Sequence, residues 1–89
     1  MLRITPLDTN PHHYELRVEG RVAGEASREI LLEELAKAAR LGRPLVLELS
    51  GVDFVDGPVL ALLLEVKQRG VTLVGSSAWL TSLLEGAGA

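Results

Sequence analysis

Apolar and polar residues alternate along residues 2–5 and again along His13-Tyr14-Glu15-Leu16-Arg17-Val18-Glu19. This period of two predicts a pair of strands, with Asn10-Pro11 in the turn between them. Residues 20–24 read as a loop between two glycines, and a helix is expected from about residue 25 to residue 41, ended by Gly42 and Pro44. At 3.6 residues per turn, Leu31, Leu32, Leu35, Ala38 and Ala39 share one side of that helix, and Glu29, Glu33, Lys37 and Arg40 fall opposite. The middle of the chain organises the rest. Leu45-Val46-Leu47-Glu48-Leu49 reads as a strand, Ser50-Gly51-Val52-Asp53-Phe54-Val55 as a short loop, and Asp56-Gly57-Pro58 as the opening of a second helix that ends before Gly70. Asp56 suits the N-cap because its carboxylate can accept the unpaired amide hydrogens of the first turn and faces the positive end of the helix dipole. Pro58 is tolerated there, since a first-turn residue has no intrahelical amide bond to lose. Val71-Thr72-Leu73-Val74-Gly75 reads as a further strand and residues 77–85 as a final helix.

The order β-β-α-β-α-β-α predicts an α/β fold: a mixed, mostly parallel four-stranded sheet whose crossovers are right-handed and whose first strand is antiparallel. Side-chain faces decide where the helices lie. Tyr14, Leu16 and Val18 point one way, as do Leu45, Leu47 and Leu49, whereas Glu15, Arg17, Glu19 and Glu48 point the other. A charged residue in mid-strand of a doubly covered sheet costs several kcal/mol unless it is paired. Glu48 therefore places all three helices on one face, each strand beside the one before it. The carboxyl edge of the sheet, where open α/β sheets carry their working surface, is the turn from Val52 to Pro58.

With 89 residues the chain is read as one domain with one core. It has no cysteine, hence no disulfide and no thiolate chemistry, and its start lacks the apolar run of a signal peptide, which fits a cytoplasmic protein. Nine basic residues against twelve acidic ones give a net charge of -3, and the basic residues are scattered along the chain. Tyr14, Phe54 and Trp79, the aromatic residues, lie on three different elements. A nucleic-acid partner, which calls for a basic face with stacking aromatics, is not expected.

Candidate chemistry is sparse. His12 and His13 are adjacent at the first turn and face opposite ways, so they are read as exposed turn residues and not as a chelating pair. Gly75-Ser76-Ser77 precedes the last helix, where Ser76 or Ser77 is read as a helix cap, with an anion site at the same two serines as the alternative. Asp53 and Asp56 lack further acidic neighbours, so loop polarity and an N-cap explain them and no metal or cofactor is expected. Trp79 is read as a packing residue. The second helix carries the sharper signal. Val59, Leu62, Leu63 and Val66 form a core stripe, while Leu60 and Leu64 fall on the other side with Ala61, Glu65 and Gln68. That leftover apolar surface is either flank packing or a partner-binding stripe.

Leu47-Glu48-Leu49-Ser50-Gly51-Val52-Asp53-Phe54-Val55-Asp56 followed by a helix resembles the signature of the STAS domain, found in bacterial anti-sigma factor antagonists and in the tails of sulfate transporters. Leu16-Arg17-Val18-Glu19-Gly20 is similar to that family's second strand. The resemblance implies a STAS fold with all helices on one side. In antagonists switched by phosphorylation, the serine directly after the aspartate is the target of a partner anti-sigma kinase. Gly57 stands at that position here, followed by Pro58, so the switch serine is missing. Val59-Leu60-Ala61-Leu62-Leu63-Leu64 is also similar to the small STAS subunits of phospholipid-transport ABC systems. The family usually continues with another strand and helix, which the chain is expected to lack.

The expected function is that of a non-enzymatic, anti-sigma factor antagonist-like interaction module acting in bacterial transcription regulation. Its partner surface comprises Val52, Asp53, Phe54, Asp56, Gly57, Pro58, Leu60, Ala61 and Leu64. The alternative partner is the ATPase of a phospholipid-transport ABC system. The alternative of another class is a small nucleotide- or anion-binding protein using Ser76 and Ser77. Homo-oligomers through the edge strand of residues 71–75 are also expected, since a bare apolar edge invites pairing.

Overall fold

The structure is a computed structural model and describes residues 2–7 and 12–87. Its elements follow the expected order: β1 (Arg3–Pro6), β2 (Tyr14–Val22), α1 (Gly24–Leu41), β3 (Leu45–Val55), α2 (Gly57–Gln68), β4 (Thr72–Val74) and α3 (Ala78–Ala87). The turn assigned to Asn10-Pro11 lies outside the described residues.

The four strands stand side by side in chain order, with β1 antiparallel to β2, and β2, β3 and β4 mutually parallel. Tyr14, Leu16, Val18, Leu45, Leu47 and Leu49 are buried on one face of the sheet. All three helices send side chains into that cluster: Leu31 and Ala38 from α1, Val59, Leu62, Leu63 and Val66 from α2, and Leu80 and Leu84 from α3. On the opposite face Arg17 Nε donates to Glu48 Oε2 at 2.9 Å, and the Ser50 amide donates to Glu48 Oε1 at 2.9 Å. The Ser50 side chain foremost, and with it the Ser50 amide and Arg17, hold the Glu48 carboxyl below its usual range against the opposing effect of burial. The charged mid-strand residue is thus paired on the uncovered face, as the helix-on-one-side arrangement requires.

Three expectations are corrected. Residues 50–55 are not a loop but the second half of β3, and residues 20–22 extend β2. The two halves pair through register shifts between Arg17 and Glu19 and between Gly20 and Arg21. Each shift inserts an extra residue, so inward side chains fall at Leu49, Val52 and Val55, a spacing of three that hides the strand from a period-two reading. Gly20 takes φ 89° at one of these shifts, a conformation that strains any residue with a Cβ. The second correction is in α1, where Leu32 is 40% exposed and Ala39 is exposed, while Ser27 is buried in line with Leu31 and Ala38. The helix is rotated so that its small N-terminal side chain, not its second leucine row, meets the sheet. Gly42, at φ 67°, ends it, its amide donating back to the last turn. The third is Trp79, which is 40% exposed with Leu83 one turn later, because Leu80 and Leu84 occupy the buried side of α3.

Candidate functional site

The candidate site is the corner where β3 ends and α2 begins. Asp56 leaves the strand in extended conformation, φ -92° and ψ 176°, and caps α2 as its sequence context predicts: the Val59 amide donates to Oδ1 at 2.9 Å. The second carboxylate oxygen does something the sequence did not announce. The Gly24 amide, at the start of α1 and 32 residues away, donates to Oδ2 at 2.8 Å. Ala23, at the N-cap position of α1, makes no side-chain capping bond, so a carboxylate from another element fills that role. One side chain therefore ties together the N-termini of two helices. The Gly24 bond first, then the Val59 bond, and more weakly the charge of Arg21, hold the Asp56 carboxyl below its usual range.

Around this tie the expected partner residues fall into different settings. Asp56, Pro58 and Ala61 line a groove of about 440 Å³ on the α1 side of α2, together with Gly24, Glu25 and Arg28. Phe54 lies with Arg21, its register partner on β2, and the Arg21 guanidinium sits 4.1 Å from the centre of the Phe54 ring. Phe54 is 38% exposed, a large aromatic surface beside the Asp56 corner. Asp53 and Gly57 are exposed, and a Cβ built on Gly57 meets nothing within 4 Å. Val52, by contrast, is 5% exposed and belongs to the core, so it supports the corner from beneath and is not part of its surface.

Leu60 and Leu64 are half-buried and pack against the core cluster. Leu64 borders a depression on the α3 side of α2 with Lys67, Gln68 and Leu84, away from the groove at Pro58 and Ala61. The flank-packing reading of the two leucines is the one their surroundings favour.

The remaining candidates do not converge. His13, just before β2, has its Nε2 3.3 Å from Glu15 Oε1. Among the described residues there is no cluster of three or more metal-ligating side chains, and each oxygen of Asp56 accepts from a backbone amide. Ser76 Oγ bonds Thr81 Oγ1 at 2.7 Å, inside α3, and Ser77 Oγ is buried without a partner. Neither serine hydroxyl thus caps α3 in the way its position predicted.

Sequence reasoning missed the Gly24 bond and the Arg21 stack on Phe54. Both join residues brought together by the parallel β2–β3 pairing, and their only advance sign was that Arg21 and Phe54 fall in the segments read as loops after two strands expected to be neighbours. No helix among the described residues is long and apolar enough to cross a membrane. A family model described as "Mlab, STAS domain" matches residues 6–89. Comparison with curated proteins finds no match.

Proposed function

This chain belongs to the STAS domain family, and on that premise we propose that it is a non-enzymatic protein-interaction module of the anti-sigma factor antagonist kind. It docks a protein partner through the β3–α2 corner and works in the bacterial cytoplasm in transcription regulation. The observation that carries the reading is the double engagement of Asp56. With both oxygens engaged by backbone amides, the carboxylate is occupied in holding shape. What it holds in place is a contact surface: Phe54 with its stacked Arg21, then Gly57, Pro58 and Ala61. Large aromatic and arginine side chains in such a setting are the residue types that carry most binding energy at interfaces.

Gly57 occupies the position where phosphorylation-switched antagonists carry serine, so under this reading the protein stays in the state equivalent to the unmodified one. A phosphoserine there would add nearly two negative charges beside Asp56 and disturb a docked partner. The run Val59-Leu60-Ala61-Leu62-Leu63-Leu64, similar to the small STAS subunits of phospholipid-transport ABC systems, favours a second reading in which the partner is the ATPase of such a system. The docking corner is the same in both.

A photo-crosslinking side chain at position 54, installed in the native cell, tests the proposal. An anti-sigma factor captured at that site supports the first reading and a lipid-transport ATPase the second. Purified protein that hydrolyses ATP, GTP or simple esters, with the activity lost in Ser76→Ala or Ser77→Ala, would replace both with the nucleotide- or anion-binding alternative.

A further inference from the structure

A groove of about 430 Å³ runs between α1 and α2 on the helical side of the molecule. It shares Arg28, Leu62 and Glu65 with the corner groove beside Asp56, so the two form one continuous channel along the helix pair. Its walls include Leu32, Leu35 and Ala39 from α1, and Val71 closes it at the start of the last parallel strand. Leu32 is 40% exposed here although it sits among apolar neighbours. Apolar side chains left open between two packed helices leave room for a third element to complete the layer.

The charges around this groove say what that element carries. Arg28, Arg43 and Arg69 line it. Arg69 is engaged by Glu65 at 2.8 Å, one turn earlier on α2. Neither the Arg28 nor the Arg43 guanidinium has an ion pair or hydrogen bond among the described residues. Arg28 lies near the start of α1, and Arg43 lies just past its end. The two uncompensated cations thus stand toward opposite ends of an apolar channel, one helix length apart. Helices α1 and α2 both return from one parallel strand to the next, so they run in the same direction and their side-chain ridges define a groove of helical pitch.

We propose that this groove receives an amphipathic helix of a partner protein, with its apolar stripe on Leu32, Leu35 and Ala39 and its carboxylates on Arg28 and Arg43. The twelve residues of α2 set a length of about 18 Å at 1.5 Å per residue, so the occupant spans about three turns and carries its acidic residues at its two ends. This surface is distinct from Phe54 on the opposite face of the sheet, and its occupation does not depend on docking at that residue. Recognition follows the helix-in-groove mode, in which apolar anchors give affinity and flanking charges fix register.

The test uses two synthetic fifteen-residue peptides with the same leucine stripe, one flanked by glutamates and one by lysines, titrated into the isotope-labelled full chain and followed by amide NMR. The glutamate peptide is expected to saturate and to shift the amides of Leu32, Ala39, Val66 and Val71. In Arg28→Glu with Arg43→Glu its affinity falls at least tenfold, and the lysine peptide becomes the better ligand. Arg28→Gln with Arg43→Gln, which adds no like charges, gives an intermediate loss and serves as the reading if the glutamate variant is less stable. Equal binding of both peptides, no saturation at millimolar peptide, or shifts confined to Phe54 and Gly57 or to Trp79 and Leu83, would overturn the proposal. So would phosphatidylglycerol vesicles that perturb the same amides in the absence of peptide, which would assign the arginines to a lipid surface. Loss of partner crosslinking at position 54 would leave these titrations unchanged, so the two surfaces fail separately.

Discussion

Truncating Leu60 and Leu64 to alanine, alongside Phe54→Ala, separates residues that hold the fold from residues that hold a partner. Both leucines are half-buried and packed against the core. A fully buried Leu→Ala change costs about 2–5 kcal/mol, so at half burial each is expected to cost about 1–2 kcal/mol. The pair sits one helical turn apart and shares neighbours, so the sum, about 2–4 kcal/mol, is subject to coupling. Against it stands a total stability of about 4–13 kcal/mol, from roughly 0.05–0.15 kcal/mol per residue over 89 residues. Through most of that range the double variant folds, with a thermal midpoint lowered by about 8–32 °C at 4–8 °C per kcal/mol. Phe54→Ala removes a ring that is already 38% exposed and its stacking with Arg21, and costs about 1–2 kcal/mol. The assay is thermal denaturation by circular dichroism, followed by calorimetric titration of the captured partner at 15 °C, where all variants remain folded. Phe54→Ala is expected to weaken binding by at least thirtyfold, about 2 kcal/mol, and the leucine pair by less than tenfold. A double leucine variant with an unchanged midpoint and no partner binding would refute the reasoning: it would make Leu60 and Leu64 an open contact stripe.

Gly57→Ser should fold and gain about 0.4–1 kcal/mol, because its φ is not positive and a Cβ meets no neighbour; a lowered denaturation midpoint would contradict this. The wild-type chain should take no phosphate from an anti-sigma kinase whereas Gly57→Ser should, as read by intact-mass spectrometry; phosphate on Ser50 of the wild type, with weaker partner binding, would show instead that the switch had moved. The Asp56 carboxyl is held below its usual range, chiefly by the Gly24 amide, so its stabilising effect is complete above the ordinary aspartate range and is lost as pH falls through the depressed folded value. In Asp56→Asn the Val59 cap survives but the Gly24 bond has no acceptor, so the midpoint should drop at neutral pH, its acid dependence should flatten, and the amides opening α1 should exchange faster; an unaltered acid limb would remove Asp56 from that role. Strand β4 pairs with β3 alone among the described residues, so the other edge of Thr72–Val74 is expected to support self-association, visible by light scattering as a concentration-dependent mass; a constant monomer mass at millimolar concentration would argue against it.

What was legible in the chain follows the regularity of its backbone. Tyr14 and Leu16 face the same way as Leu45 and Leu47 where β2 and β3 pair residue for residue, Val18 and Leu49 continue the alternation up to the first register shift, and the sheet face, the helix layer and the strand order could all be read from them. Glu48 was informative for the same reason: in a regular ladder a charged residue can face only one way. Once the register shifts begin, the same kind of residues carry no such message. Val52 and Val55 are core side chains with the spacing of a helix or loop, and Val52 was accordingly expected at the surface.

The corner shows a second limit. The N-cap role of Asp56 is local, a carboxylate three residues before the amide it accepts, and local chemistry is visible in sequence. Its bond to Gly24 spans 32 residues and exists only because β2 and β3 run parallel, which brings the ends of both strands, and hence the starts of both following helices, to one edge. The two bonds have different consequences. The Val59 bond stabilises one helix, whereas the Gly24 bond fixes the position of α1 against α2 and with it the width of the groove between them. Asp56→Asn should therefore loosen the first turn of α1 while leaving the first turn of α2 capped.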